Sequence, residues 1–255
     1  MEIVFFRCAV SMIICLVVLW RTGTDWKGSN RTLLFARGFF GTLSLYTFFI
    51  TLHHLPLGTA VTIQYLSPIF TTIIAIYLLK ERVRIPQWLF FALSFAGVMV
   101  IKGVDSRVSF LMLGIGILSA LSSGFAYNVV RSLKEKEPTM VVVLHFQLFG
   151  VVVGLLGSLF DWQTPEGLEW LYLILIGIFT QSGQVYLTKA LKLEKIADVT
   201  ILNYLGIIYA LFFGWALFGE QYDWLSLSGM VLVLAGILLN FIYQRKRLQM
   251  LAVKK

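Results

Sequence analysis

Two arginines and a set of amides interrupt otherwise apolar stretches of this 255-residue chain, and they are the side chains equipped for chemistry. Arg7 and Arg37 carry charge into hydrocarbon, which costs about 2.5 to 3.5 kcal/mol on insertion scales and so invites a functional reading. Both could face an aqueous cavity and attract an anionic substrate. Each also lies within about seven residues of a span end, where a long side chain can snorkel to the interface. Gln64, Gln147, Gln181, Gln184 and Asn203 fall near the middle of their spans, with Tyr46, Tyr65, Tyr127, Asn128, Tyr186 and Tyr204 close by. Uncharged donors and acceptors suit a polar solute that sheds its water without the cost of a buried charge. The competing role is to glue helices by hydrogen bonds worth about 0.6 kcal/mol each. Gln181 and Gln184 are three residues apart and share a helix face. The expected substrate-binding set is therefore Gln181, Gln184, Gln64, Asn203, Gln147, Tyr127, Asn128, Arg37 and Arg7. His145 reads as a packed or hydrogen-bonded histidine, and His53 and His54 as loop residues.

Other chemistries lack their residues. There is no G-x-x-x-x-G-K-[ST] loop for an ATP-driven pump and no H-E-x-x-H helix or pair of mid-span aspartates for an intramembrane enzyme. The chain is read as a non-enzyme with no cofactor, no metal and no catalytic residues. No Asp or Glu sits near a span centre to serve as a proton relay, which argues for exchange or facilitated movement.

The elements that must position these residues are membrane helices. At 58% hydrophobic and 13% charged, the sequence is far from the soluble average of about 25% charged. Its apolar runs predict an all-α membrane protein of nine transmembrane helices, near 3–20, 32–54, 56–79, 86–102, 110–134, 139–160, 169–190, 196–219 and 223–243. Seventeen basic residues fall in one set of alternate loops and the C-terminal tail, against Lys102 and Arg107 in the opposite loops, which predicts a cytoplasmic C-terminus. All seven tryptophans fall at or near span ends, as an interfacial belt requires. The basic residues are spread over loops instead of clustering on one face, so the net charge of +8 points to topology, with no nucleic-acid partner. Cys8 and Cys15, seven apart on one helix, are too distant to bridge.

The stretch 57–102 aligns without a gap on 196–241, 139 residues further on, with 8 of 46 positions identical. The pairing sets Gln64 on Asn203, Tyr65 on Tyr204, Glu81 on Glu220, Ala96 on Ala235 and Gly97 on Gly236. A repeat of five helices places its second copy upside down, the inverted arrangement of secondary transporters. Two repeats are expected, 1–104 and 105–244, followed by a basic cytoplasmic tail, 245–255. The same offset puts the mate of span 110–134 before Met1, so the first repeat lacks its first helix. A truncated chain, a late start codon and a nine-helix protein all account for that. Ser67, Thr71 and Ala75, and their mates Gly206, Ala210 and Gly214, predict close helix approach. Gly150 and Gly154 form a GxxxG that serves packing or contact with a second copy, and a homodimer is one expected partner state. Glu81 and Glu220 read as interfacial carboxylates fixing the turn into the next helix.

The run Leu55-Pro56-Leu57-Gly58-Thr59-Ala60, then Tyr65-Leu66-Ser67-Pro68-Ile69, Leu78-Leu79-Lys80-Glu81-Arg82 and Ala96-Gly97-Val98 resembles the EamA-like family of the drug/metabolite transporter superfamily. The second half repeats it with Ala190-Leu191, Asn203-Tyr204-Leu205, Phe218-Gly219-Glu220 and Ala235-Gly236-Ile237. Phe5-Phe6-Arg7 is similar to the family's arginine-bearing second helix. The resemblance implies ten helices, alternating access and export or exchange of small metabolites. The expected function is a secondary transporter of small polar metabolites in the lipid bilayer, with organic anions favoured by the arginines. The alternative is a non-transporting scaffold or partner subunit. Two departures from the pattern are the absent first helix and Ile207, which stands where the first half has Pro68.

Overall fold

The computed structural model describes the chain except residues 79, 81–82, 160–161, 194–195 and 254–255, and for 104, 196–205, 245 and 247–253 it describes the backbone alone. The described residues are helical, with no strand among them. In chain order the helices are α1 (Glu2–Arg21), α2 (Arg31–His54), α3 (Leu57–Gln64), α4 (Ser67–Leu78), α5 (Ile85–Val104), α6 (Phe110–Ser132), α7 (Thr139–Ser158), α8 (Glu169–Lys192), α9 (Ile196–Phe218) and α10 (Trp224–Val253). Eight segments are long and apolar enough to cross a membrane, counting α3 and α4 as one. The described part of α9 adds a shorter apolar stretch, Gly206–Phe218. The chain is an all-α, multi-pass membrane protein. All seven tryptophans are well exposed, from Trp162 at 43% to Trp224 at 84%, as residues facing lipid headgroups should be.

Two expectations change in detail. The span 56–79 is broken at Tyr65–Leu66, because Pro68 has no N–H to give the Gln64 carbonyl and its ring crowds that oxygen. Its counterpart α9 carries Ile207 instead and runs unbroken. The basic tail is also no separate segment. Helix α10 continues through it to Val253.

The helices gather into two compact units. Unit 1 is Met1–Tyr46 with Phe125–Glu194, and unit 2 is Thr47–Gly124 with Lys195–Lys255. Helices α2 and α6 each pass from one unit to the other along their length.

In unit 1, α1 lies on α7 and α8. Lipid tails are as apolar as side chains, so close backbone approach through small residues must do the packing. Gly154 has the Phe5 backbone where a Cβ would sit, at 2.6 Å, and Gly150 takes the Cys8 side chain. On α8, Gly177 receives Val10, and the Ser11 hydroxyl donates to the Gly177 carbonyl at 3.0 Å. Both glycines of the GxxxG are thus used within the chain. Cys8 and Cys15 are free and buried.

Unit 2 is built on α5 against α10, with α3 against α9. Gly97 of α5 sits so close to α10 that a Cβ would meet the Gly229 carbonyl oxygen at 2.5 Å and the Val233 nitrogen at 2.7 Å. Gly236 of α10 sits likewise against the Phe90 carbonyl oxygen at 2.5 Å and the Ser94 nitrogen at 2.9 Å. Between them the Ser94 hydroxyl donates to the Val233 carbonyl at 3.2 Å, and further along Gln87 donates to Asn240 at 3.1 Å. The small-residue stripe on α4 meets α6, where Gly124 lies against the Phe70–Thr71 backbone.

Candidate functional site

Seven of the nine expected site residues belong to unit 1: Arg7, Arg37, Tyr127, Asn128, Gln147, Gln181 and Gln184. Arg37 is the most informative. It is only 3% exposed. A helical side chain leans toward the N-terminus of its own helix, which here would carry the guanidinium back to the Arg31 end of α2 and to the interface. Arg37 runs the other way. Its Nη1 lies against Gly41, where any Cβ would overlap it, about 6 Å deeper in the span. The guanidinium carbon stands 4.3 Å from the ring centroid of Phe146 on α7, a cation–π contact. Nη2 donates to Gln184 Oε1 on α8 at 3.2 Å, and Nε, buried, has no acceptor. Tyr127 of α6 is the titratable group that interacts with it. Among the described residues no carboxylate pairs with Arg37. It does not snorkel.

On the helices that touch this cation the amides are only partly occupied. Gln147, next in sequence to Phe146 and fully buried, has no partner among the described residues for either its Oε1 or its Nε2. Gln181 donates to Cys15 Sγ at 3.0 Å and its Oε1 is unsatisfied. Gln181 and Gln184 both find partners within unit 1, Cys15 and Arg37. Asn128 is buried and accepts from Arg131 at 3.4 Å, and Arg7 is half-buried beside Cys8. Buried polar groups are satisfied in the great majority of cases, so unfilled amide atoms on α7 and α8, the helices that touch Arg37 through Phe146 and Gln184, are suited to a polar, anionic ligand.

The remaining expected residues behave differently. Gln64, in unit 2, is engaged on both sides of its amide: Oε1 accepts from Ser119 at 2.7 Å and Nε2 donates to Ser123 at 2.9 Å. It braces α3 against α6. The side chains of Asn203 and Tyr204, and all of Glu81, lie outside the described residues. Tyr186 points away from the interior at 71% exposure. His145 bonds the Val141 carbonyl one turn back at 2.9 Å, the local role its position suggested.

The EamA-like transporter family matches residues 1–103 and again 110–242, nearly the whole chain. The chain belongs to the EamA-like transporter family. Its relatives include the pseudopaline exporter CntI of Pseudomonas aeruginosa (strain UCBPP-PA14), 29% identical over 92% of this chain and 84% of the relative. Human solute carrier family 35 member G1 is 27% identical over 92% and 69%. The S-adenosylmethionine uptake transporter of Rickettsia prowazekii (strain Madrid E) is 26% identical over 96% and 84%. A solved protein structure shares the fold at a TM-score of 0.63, with 17% identity over 96% of this chain and 88% of the other. These relatives are membrane transporters of small molecules, and so is this EamA-like chain; none is an enzyme.

Sequence reasoning missed Gly41 and Phe146, which decide where the Arg37 charge points. The signal was present as an intramembrane arginine followed four residues later by glycine, the i to i+4 neighbour on a helix face. It also missed two helix caps in this EamA-like fold. In unit 1 the buried Glu137, from the α6–α7 loop, accepts from the Ser29 N–H at 2.6 Å and from the Asn30 N–H at the start of α2. In unit 2, Glu220 does not serve the turn into α10 alone. Gly219, at φ +63°, ends α9, and the Glu220 carboxylate accepts the Leu57 N–H with both oxygens, at 2.8 and 3.0 Å. Tyr222 donates to Glu220 and accepts from the Gly58 N–H at 3.2 Å. Its hydroxyl pKa is raised by burial and by the Glu220 bond, so it stays a donor at any ordinary pH. Nearby, Arg107 makes a two-point contact with Asp105 (2.9 and 2.8 Å), which holds that carboxyl below its usual range, and reaches the Gln221 carbonyl at 3.1 Å.

Proposed function

We propose that this chain is a secondary transporter that moves small polar metabolites, organic anions among them, by alternating access, with the polar interior of unit 1 as its substrate site. The observation that carries the reading is Arg37, a buried guanidinium turned toward the middle of its span and left without a countercharge among the described residues. A cation held there costs free energy unless something relieves it. A substrate anion would do so, and Gln184, Gln147, Gln181, Tyr127, Asn128 and Arg7 would complete its surroundings. Gln64, which braces α3 on α6 in unit 2, and Asn203, whose side chain lies outside the described residues, are not assigned to this site.

Two related halves of opposite orientation are a recurrent basis of alternating access. The α5·α10 contact supports this. Gly97 packs on Gly229 and Val233; shifting each index by 139 turns that into Gly236 on Phe90 and Ser94, and both contacts are made. Ser94 and Val233, themselves 139 apart, are joined by a hydrogen bond at the crossing. Two antiparallel helices meeting at equivalent residues are what a two-fold axis in the membrane plane produces. The relatives include both an exporter and an uptake transporter, so either direction is compatible with this reading.

The test is flux in reconstituted proteoliposomes. Wild type should exchange internal for external organic anion, and Arg37→Gln combined with Gln184→Ala should remove that flux while leaving the melting temperature near wild type. Flux unaltered by the two substitutions would place the substrate elsewhere.

The basic loops and tail support a cytoplasmic C-terminus. Single cysteines at Lys27 and Glu135, both exposed, should resist an impermeant maleimide on intact cells and react after permeabilisation. Cys8 and Cys15 are buried and can remain. Labelling from outside would reverse the orientation.

A further inference from the structure

We infer that unit 1 recognises a small carboxylic acid carrying a neighbouring hydroxyl donor, through the side-on edge of Arg37, and that Gly41 is the positioning residue that holds this edge toward the ligand. The inference rests on the transport reading above and narrows its substrate.

The guanidinium has three nitrogens in three situations. Nη1 is packed on the α2 backbone at Gly41, Nη2 bonds the neutral Gln184 oxygen, and Nε has no acceptor. Phe146 covers one face of the plane. Nε–H and one Nη2 hydrogen point the same way and form a planar fork, the edge that receives two carboxylate oxygens at once. The Gln184 bond, at 3.2 Å, is long and neutral, so it orients the fork without cancelling the charge. A tetrahedral phosphate, with more charge and more oxygens, calls for a second cation or a helix N-terminus directly beside the first; among the described residues Arg37 is met by the neutral Gln184 and Phe146, and Arg7 is not in contact with it. The donor requirement comes from α8: Gln181 Oε1 is a buried acceptor without a hydrogen, three residues along the same face from Gln184. Gln147, on the helix that carries Phe146, offers one donor and one acceptor, both unmade.

Gly41 sets the direction of the charge. A Cβ at 41 would overlap Nη1, and it would also approach the Phe146 ring at 2.8 Å. The guanidinium would have to swing back toward Arg31, where snorkelling costs it nothing. Gly41→Ala should therefore act on recognition through Arg37 without touching the ligand itself.

The experiment uses the full chain in detergent, with melting temperature read against matched pairs: lactate and lactamide, malate and malamide, and inorganic phosphate separately. At least one hydroxy acid should stabilise the protein, and its amide should not. Arg37→Gln should abolish the shift. Arg37→Lys, which keeps the charge and loses the fork, and Gly41→Ala should each weaken apparent affinity about tenfold or more, as loss of a charged hydrogen bond predicts. Should Gly41→Ala fail to fold, the lysine variant still decides. Equal shifts from acid and amide, a shift kept in Arg37→Gln, tighter binding of phosphate than of any acid, or no shift from the whole panel would each overturn the inference. Flux separates it from the reading beneath: acid binding that depends on Arg37 without exchange in proteoliposomes removes the transporter and leaves the site. Exchange that continues unchanged in Gly41→Ala and Arg37→Lys removes the site and leaves the transporter.

Discussion

Valine at Gly97 or at Gly236 should leave no folded, monodisperse protein. At both positions the place of the added carbon is occupied by backbone of the facing helix, 2.5 Å away at its nearest, and backbone cannot step aside as a flexible side chain can. Overpacking a core costs about 1 to 3 kcal/mol when side chains can rearrange. Here α5 and α10 would have to separate, breaking the Ser94–Val233 and Gln87–Asn240 bonds with them, so about 3 kcal/mol is the lower end of the expected loss. Gly103→Ala, on the same α5, is the control. Nothing lies within 4 Å of its Cβ, and loss of glycine flexibility should hold or raise stability by about 0.5 to 1 kcal/mol. Size-exclusion profiles and melting temperatures of the three variants decide. Gly97→Val with a wild-type melting temperature would mean that α5 and α10 do not meet there.

The second large effect is expected at Glu220. Helix α3 begins after Pro56, which has no side chain able to cap it, and the Glu220 carboxylate supplies the missing acceptor from 163 residues away. Its negative charge also stands at the positive end of the α3 dipole. Glu220→Ala strands the Leu57 N–H and the Tyr222 hydroxyl together, and hydrogen bonds to a charged group contribute about 1.5 to 3 kcal/mol. Glu220→Gln, which keeps one acceptor oxygen, should fall between wild type and alanine. Tyr222→Phe should cost less, about 0.5 to 1.5 kcal/mol, because the carboxylate keeps both contacts to Leu57. An order in which alanine and glutamine match wild type while phenylalanine does not would assign the cap to Tyr222.

The helices were legible in the sequence because length and hydropathy are enough to define a span; the break in α3–α4 was not read, although Pro68 carried its signal. The family was legible in the glycine, proline and glutamate spacing. The direction of Arg37 was not, since a cation near a span end has a cheap escape to the interface, and only the packing of Phe146 and the bare surface of Gly41 remove it. Nor was the division of labour among amides. Gln64 and Gln147 look alike as mid-span glutamines, yet Ser119 and Ser123 satisfy the first and none of the described residues satisfies the second. The partner of Glu220 was hidden for a simpler reason. Spacing along a chain does not state which helix end lies across the membrane face.

The break at Tyr65–Leu66 makes the α3–α4 span and α9 unequal mechanical parts. A helix missing a rung of its ladder bends at that point with little resistance, whereas an unbroken one transmits torque along its length and can only tilt as a rod. Load applied to unit 2 will therefore be taken up as curvature at Tyr65–Leu66 and as rigid rotation in α9. Under the alternating-access reading we propose, the cycle would be lopsided, one half yielding where the other swings.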